Sequence, residues 1–333
     1  MTADRPRRRF AWFRTVIALL LVLIVAGALA WVFAPREPVD LSLAFDPAAL
    51  GEDLDAYLRD EEAKFDDVRP TAAKEIVWAY PASHAKTPVA LAYLHGFSAA
   101  KAEIRPVPDM AASQLGANLF YSRLAGHGRD GEAMAEATVN AWVQDAAEAV
   151  AIAERIGEKV VLIGTSTGGT LTTLAASMPD LKDRIDGVVL ISPNFAIRAS
   201  GSQMLTWPFA ETLVRLVVGK ERGFKPQNEA HGQNWTTRYP SRAVLPMAAL
   251  VKYTAALPVE DIAIPALFVF HPDDTVVDQS VTAAIAKRWG GPVTVSPVET
   301  TDNPSNHVIA GDILSPSNNE TVAAAIRQFV EGL

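Results

Sequence analysis

The chain has no cysteine. That excludes disulfide staples, a thiol nucleophile, a lipidated N-terminal cysteine, and thiolate-bound zinc or iron–sulfur clusters. It leaves the redox compartment open, because a chain without thiols folds on either side of a membrane. Cationic runs are equally scarce. Outside the first 14 residues no cluster of Lys and Arg occurs, and 30 basic against 38 acidic residues give a net charge of −8. No nucleic-acid partner is expected from that balance. Internal repeats and low-complexity tracts are lacking too. Nor is the chain polar enough for disorder, with 49% hydrophobic and 20% charged residues among 333. That length suits one large domain or two small ones.

The charge that is present is unevenly placed. Residues 1–14 hold Arg5, Arg7, Arg8, Arg9 and Arg14 against Asp4, which leaves a net charge of −12 on the rest of the chain. After this basic cytoplasmic head, residues 15–34 run without a charge, and Trp12 and Trp31 stand near the two ends. Twenty helical residues span ~30 Å, the thickness of a bilayer's hydrocarbon core. Indole rings favour the membrane interface, and basic residues stay on the cytoplasmic side. The expectation is a single-pass anchor with the N-terminus cytoplasmic and the body extracytoplasmic. A cleaved signal peptide is the rival, since Ala28-Leu29-Ala30 forms an A-x-A site; cleavage there would make the protein secreted. The apolar stretch continues through Trp31-Val32-Phe33, which favours the uncleaved anchor.

Residues 35–74 read as linker and lead-in, with Pro35, Pro38 and Pro47 breaking any continuing helix and a short charged helix over 54–65. From residue 75 to 333 the pattern becomes strand–helix alternation. Apolar, β-rich runs fall at 75–80, 89–94, 118–122, 160–163, 188–191, 266–270 and 293–297. Most are continuous rather than alternating, as in strands buried on both faces of a parallel sheet. Helical spacing marks 140–156, 167–177, 281–289 and 320–330. The class is α/β, a mostly parallel sheet with helices on both faces. Residues 194–262 break the rhythm: no clear strand, but abundant Trp, Pro, Leu and Val. An insertion of that length between two strands predicts a helical cap.

The chemistry concentrates at Gly164-Thr165-Ser166-Thr167-Gly168, a G-x-S-x-G pattern between a buried strand and a helix. A sharp, strained turn there lifts the serine above the sheet. The two glycines let neighbouring chain pass close by. Ser166 then stands at a helix N-terminus, where the Thr167 N–H is unpaired and the dipole favours negative charge. No Lys follows as a phosphate-binding P-loop requires. A serine nucleophile needs a base, and the base an orienting carboxylate. Of the six histidines, His84 lies in a polar loop and is expected to be solvated, and His231 lies in the cap. His307 lies in a loop after the last strand, at the edge where open α/β sheets put active sites. For the acid, the strand over 266–270 ends in His271-Pro272-Asp273-Asp274, where Asp273 and Asp274 compete and Asp278 stands further off.

With these residues the sequence resembles the α/β-hydrolase superfamily of serine hydrolases, in its lysophospholipase, monoacylglycerol-lipase and serine-aminopeptidase-like group. Ser166, Asp274 and His307 follow that family's chain order. Leu94-His95-Gly96-Phe97-Ser98 is similar to its HG oxyanion loop, and Gly126-His127-Gly128 to its G-H-G turn. The resemblance covers residues 75–333. It implies an α/β-hydrolase fold, selects Asp274 before Thr275-Val276-Val277 as the acid, and assigns the oxyanion to the amides of Phe97 and Thr167. Departures are Thr165 where many members have His, Arg129-Asp130 after the G-H-G turn, and His271 where Gly is frequent.

The activity expected is cleavage of carboxylic esters by a Ser-His-Asp triad, without metal or organic cofactor. A peptidase or acyltransferase on the same fold is the first alternative; the former needs an acid to hold a substrate amine, and Glu221, Glu229 and Glu260 are the cap's candidates. A non-catalytic hydrolase-like binding protein is the second. Anchor and apolar cap together point to a lipid or small-molecule acyl ester as partner. The natural substrate, acyl length and oligomeric state are left open.

Overall fold

The computed structural model describes residues 5–333; residues 1–4 of the basic head lie outside them. Helix α1 (Arg5–Phe33) comes first. It stops short of Pro35, which has no N–H to offer a further turn. Arg36 folds back on its end, donating to the carbonyls of Trp31 (2.8 Å) and Val32 (3.3 Å). A cation there meets the negative end of the helix dipole. Within α1, the 22 residues Trp12–Phe33 are long and apolar enough to cross a membrane, and they are not buried by the body, which Trp31 meets near their end with its ring edge-on to Trp207.

The segment expected as linker and lead-in does not hang free. Ala44 and Phe45 both donate to Gln144 Oε1 at 2.8 Å, and Asn140 and Gln144 donate back to the Ser42 carbonyl. Val39, Leu41, Leu43 and Phe45 pack on the core. Helix α2 (Leu54–Glu62) is N-capped by Asp53 and buries Leu54 and Leu58.

Strands β1 (Glu75–Val77) and β2 (Thr87–Leu94) are followed by α3 (Val107–Leu115), β3 (Asn118–Tyr121), α4 (Val139–Ile156), β4 (Gly157–Thr165), α5 (Thr167–Ser177) and β5 (Gly187–Ile191). An excursion then holds α6 (Ala210–Val217), β6 (Glu221–Gly223), α7 (Glu229–Asn234), β7 (Arg238–Pro240) and α8 (Val244–Ala255). The chain returns through β8 (Ala266–Phe270), α9 (Gln279–Arg288), β9 (Val293–Pro297) and α10 (Asn319–Glu331).

The sheet has the order β1-β3-β2-β4-β5-β8-β9. Every neighbour is parallel except β1, which runs antiparallel to β3. Side chains alternate across it, as strand geometry requires. On β2, Ala90, Ala92 and Leu94 join the core under α4, α5 and α8, while Leu91 and Tyr93 join the core under α3 and α10. This is the α/β-hydrolase fold.

Two elements depart from the sequence reading. Helix α3 falls where no helix was expected; Pro108 sits in its first turn, where a missing N–H costs nothing. The excursion also contains strands, β6 and β7, which pair as an antiparallel ribbon. Three residues each, with charged members, give too short a pattern to register as strands.

Candidate active site

The site grows from the turn between β4 and α5. Ser166 sits there at φ 52°, ψ −116°, a conformation that costs a non-glycine residue free energy. Neighbours hold it: its N–H donates to the Ile191 carbonyl (2.9 Å), and its carbonyl accepts from Thr170 (3.1 Å) and Asn194 (3.0 Å). The flanking glycines answer to close approach. A Cβ on Gly168 would lie 2.0 Å from the Leu94 oxygen, and one on Gly164 2.4 Å from the Gly168 oxygen. Both are backbone contacts that nothing can relieve cheaply.

Three side chains distant in sequence meet over this turn. His307 Nε2 lies 2.9 Å from Ser166 Oγ, and its Nδ1 lies 2.7 Å from Asp274 Oδ2. Asp274 has no solvent exposure. Its Oδ1 accepts from the amides of Val276 (2.7 Å) and Val277 (3.1 Å), and its Oδ2 from Gln279 Nε2 (3.0 Å). Burial alone would push this carboxyl up; the His307 imidazole, Gln279 and the Val277 amide outweigh it and hold the group below the ordinary carboxylate range. Asp274 is therefore ionised beside an imidazole that has one nitrogen for it and the other for the serine.

The competing acids stand elsewhere. Asp273 is exposed and its N–H donates to His271 Nδ1 (3.0 Å). Asp278 caps α9 by accepting from the Ser280 amide. The loop that carries Asp274 is stitched to the excursion: Arg198 donates to the Asp274 carbonyl (2.8 Å) and Ile197 bridges to Val277. Neither Arg198 nor Gln279 was visible as a site residue in the sequence, because each reaches the aspartate only through the fold.

The loop after β2 closes the other side. Gly96 approaches the serine so closely that a Cβ on it would lie 3.3 Å from Ser166 Cβ and 2.9 Å from Glu103 Oε2. The N–H groups of Phe97 and of Thr167 donate to no acceptor of the described protein. Beneath the loop lies Glu103, which accepts from the Tyr93 hydroxyl (2.7 Å) and the Gly96 amide. Burial pushes its carboxyl up to about 7. Nothing in the sequence marks Glu103, which sits in a polar stretch that reads as surface.

The histidines of the two loop motifs are structural. His95 donates from Nδ1 to the Gly96 carbonyl (2.9 Å) and accepts the Leu124 amide at Nε2 (3.0 Å), so it ties the HG loop to the strand end carrying the G-H-G turn. Burial holds it well below the ordinary histidine value, hence neutral. His127, likewise lowered by burial to about 4, packs edge-on to His95 and to Phe97. His271 donates from Nε2 to the Glu299 carbonyl (2.9 Å). His84 is exposed, as expected; its ring also stacks on Trp78 with centroids 4.4 Å apart and approaches Asp55 at 3.3 Å.

Ser166 and His307 open into a cavity of about 310 Å³. Phe97 and Thr167 line its base, and Leu205, Trp235 and Met247 of the excursion form its apolar wall. No lining residue is acidic. Glu221 pairs with Arg238, Glu260 with Arg288, and Glu229 accepts from Gln233, all outside the cavity. Among the described residues no group of three His, Asp or Glu is arranged to hold a metal ion.

A sequence model of the family described as serine aminopeptidase, S33, matches residues 111–295. A thermostable monoacylglycerol lipase from Bacillus sp. (strain H-257) is 32% identical over 118 residues, 35% of this chain. That match spans 45% of the relative's length. Among solved structures, one of the metagenome-derived lipolytic enzymes LipS and LipT superposes with a TM-score of 0.63 at 19% identity, over 79% of this chain and 99% of the other. A soluble variant of monoglyceride lipase from Saccharomyces cerevisiae gives 0.61 at 12% identity, over 78% and 90%. The monoacylglycerol lipase of Paleococcus ferrophilus gives 0.57 at 16%, over 78% and 98%. At such identities these structures share the fold.

Proposed function

We propose, from the premise that the chain belongs to the serine aminopeptidase (S33) family of α/β hydrolases, that it hydrolyses carboxylic esters through an acyl-enzyme on Ser166. The observation that carries this reading is the pair of contacts at His307, 2.9 Å to the serine hydroxyl and 2.7 Å to a fully buried aspartate. Ser166 Oγ attacks the acyl carbonyl carbon while His307 Nε2 takes its proton. Asp274 fixes the tautomer and stabilises the imidazolium. The free amides of Phe97 and Thr167 receive the oxyanion, each such donor contributing roughly 3–4 kcal/mol in comparable sites. His307 then returns the proton to the departing alkoxide. Water attacks the acyl-enzyme with the same base, and the serine regains its hydrogen.

The likeness to a monoacylglycerol lipase and the apolar cavity wall favour an acyl ester of lipid character. A cavity without acidic lining disfavours an aminopeptidase, which needs an anion to hold the substrate's ammonium. Residues 194–262 act as a cap over the site. Helix α1 serves as the membrane anchor, with the body on the extracytoplasmic side.

The test is labelling with a fluorophosphonate probe, followed by turnover of p-nitrophenyl esters. Wild type should be labelled and Ser166→Ala should not. Equal labelling of both ends the reading. Resistance of the full chain to alkaline carbonate extraction, with an intact N-terminus by sequencing, checks the anchor; an N-terminus starting at Trp31 refutes it.

A further inference from the structure

The cavity over Ser166 has one permanently charged lining residue, Arg222. Its placement follows from the ribbon. In an antiparallel pair, residues directly opposite share a face and the next pair takes the other. Arg222 is opposite Tyr239, while Glu221 is opposite Pro240 and Gly223 opposite Arg238. One face therefore carries Glu221 and Arg238, which neutralise each other with Arg238 Nε 2.8 Å from Glu221 Oε2. The other face carries Tyr239, whose ring stands edge-on to Phe97 at 5.4 Å, and with it Arg222. The ribbon thus turns its neutral pair outward and an uncompensated guanidinium toward the cavity. Arg222 has no ion pair and no hydrogen bond among the described residues.

Two more groups on the same wall point to the same ligand chemistry. His231 is 94% buried, being 6% exposed, and lines the cavity. Its Nδ1 accepts the Gln227 amide at 3.1 Å, so in the neutral ring the proton is on Nε2. Burial lowers its pKa, which keeps the ring neutral, and Nε2–H has no protein acceptor. Gln227, exposed at the cavity's edge, is also a lining residue, and its side-chain amide has no protein partner. A guanidinium, an imidazole N–H and an amide, with no carboxylate beside them, form a set of donors awaiting an acceptor with charge.

We propose that this wall is a subsite for an anionic oxygen group on the substrate, a phosphate or a carboxylate held by Arg222 with Gln227 and His231. The proposal rests on the ester-hydrolase reading and narrows it: the preferred esters carry a negative charge remote from the scissile bond. Neutral acylglycerols would fill the apolar wall and leave the exposed Arg222 and Gln227 to solvent.

The experiment uses the full chain in neutral detergent and two matched pairs of esters. Mono-p-nitrophenyl glutarate is set against p-nitrophenyl pentanoate, and 1-oleoylglycerol 3-phosphate against 1-oleoylglycerol. Wild type should favour the anionic member of at least one pair by about tenfold in kcat/KM, as one charge-assisted contact permits. The pair that responds distinguishes carboxylate from phosphate. Arg222→Gln should remove that preference mainly through KM, Arg222→Lys should keep part of it, and raising salt should erode it. Unchanged ratios in Arg222→Gln, with turnover still abolished by Ser166→Ala, overturn the subsite and leave the hydrolase reading standing. Wild-type turnover no greater than that of Ser166→Ala on all four esters overturns both.

Discussion

The loops at the edge of the sheet and the excursion between β5 and β8 build opposite halves of one cavity by different means. The sheet half is fixed by backbone. Ser166 is strained into place, Gly164 and Gly168 are forced by carbonyls at 2.0–2.4 Å, and Asp274 is fully buried with its oxygens satisfied. The excursion half is fixed by side chains. Trp207, Phe209, Leu216 and Val217 are exposed, and Arg222 and Gln227 reach the cavity without partners. On the proposed reading, chemistry that tolerates little displacement is held by groups that cannot move, and selection among substrates is left to groups that can be exchanged.

That contrast can be broken most sharply at the acid. Asp274→Asn should lower kcat by roughly 10³–10⁴-fold, since the imidazole loses its orienting acceptor. Asp273→Asn, on an exposed neighbour, should stay within about twofold. Equal losses in steady-state assays would show that the loop and not the buried carboxylate matters. Next come the glycines. Gly168→Ala puts a Cβ 2.0 Å from the Leu94 oxygen and should destabilise by more than about 3 kcal/mol in thermal melts. Gly219→Ala, in the excursion at φ +101° with open space around it, should cost only about 1–2 kcal/mol. Similar melting points for the two variants would erase the distinction between the halves.

Smaller effects sharpen it. Met247→Ala on the excursion wall should move the preferred acyl length upward by a three- to tenfold change in relative kcat/KM, about the value of a methylene or two in a pocket. An unchanged chain-length profile would remove Met247 from the acyl path. The smallest effect concerns Glu103 under the loop after β2. Its folded value of about 7 lies above the ordinary 4.5, so the folded state holds this proton more tightly. The associated stability is complete below about pH 4.5 and is lost as pH rises through about 7. Glu103→Gln carries no such loss, so its melting temperature should fall less than wild type between pH 5 and pH 8. Parallel falls would show that this carboxyl does not titrate in that range.

The two halves also differed in how legible they were. The strands over 89–94, 160–163, 188–191 and 266–270 were plain as continuous apolar runs, because strands covered on both faces carry no polar alternation. Ser166 was plain because its turn needs glycine on either side. Asp274 was separable from Asp273 only through family resemblance, since burial is not written in a dipeptide of identical residues. Glu103, Gln279 and Arg198 were invisible: each contributes through a partner far away in sequence. The ribbon was invisible for another reason, since its three-residue strands are ordered by Tyr239 against Phe97 and by an outward ion pair, not by local pattern.

The way residues 39–45 lie against the body fixes how far the protein can stray from helix α1. Five residues separate Phe33, where the helix ends, from Val39, the first apolar residue of the segment packed on the core, and within them the Pro35 carbonyl already accepts the Phe209 N–H at 3.4 Å. Fully stretched they reach about 17 Å. Trp31 already touches Trp207 across that gap, with ring centroids 5.6 Å apart. With α1 as the anchor proposed above, a leash this short turns a globule into a fixture: the surface that holds the helix dictates the neighbourhood from which the cavity draws its molecules.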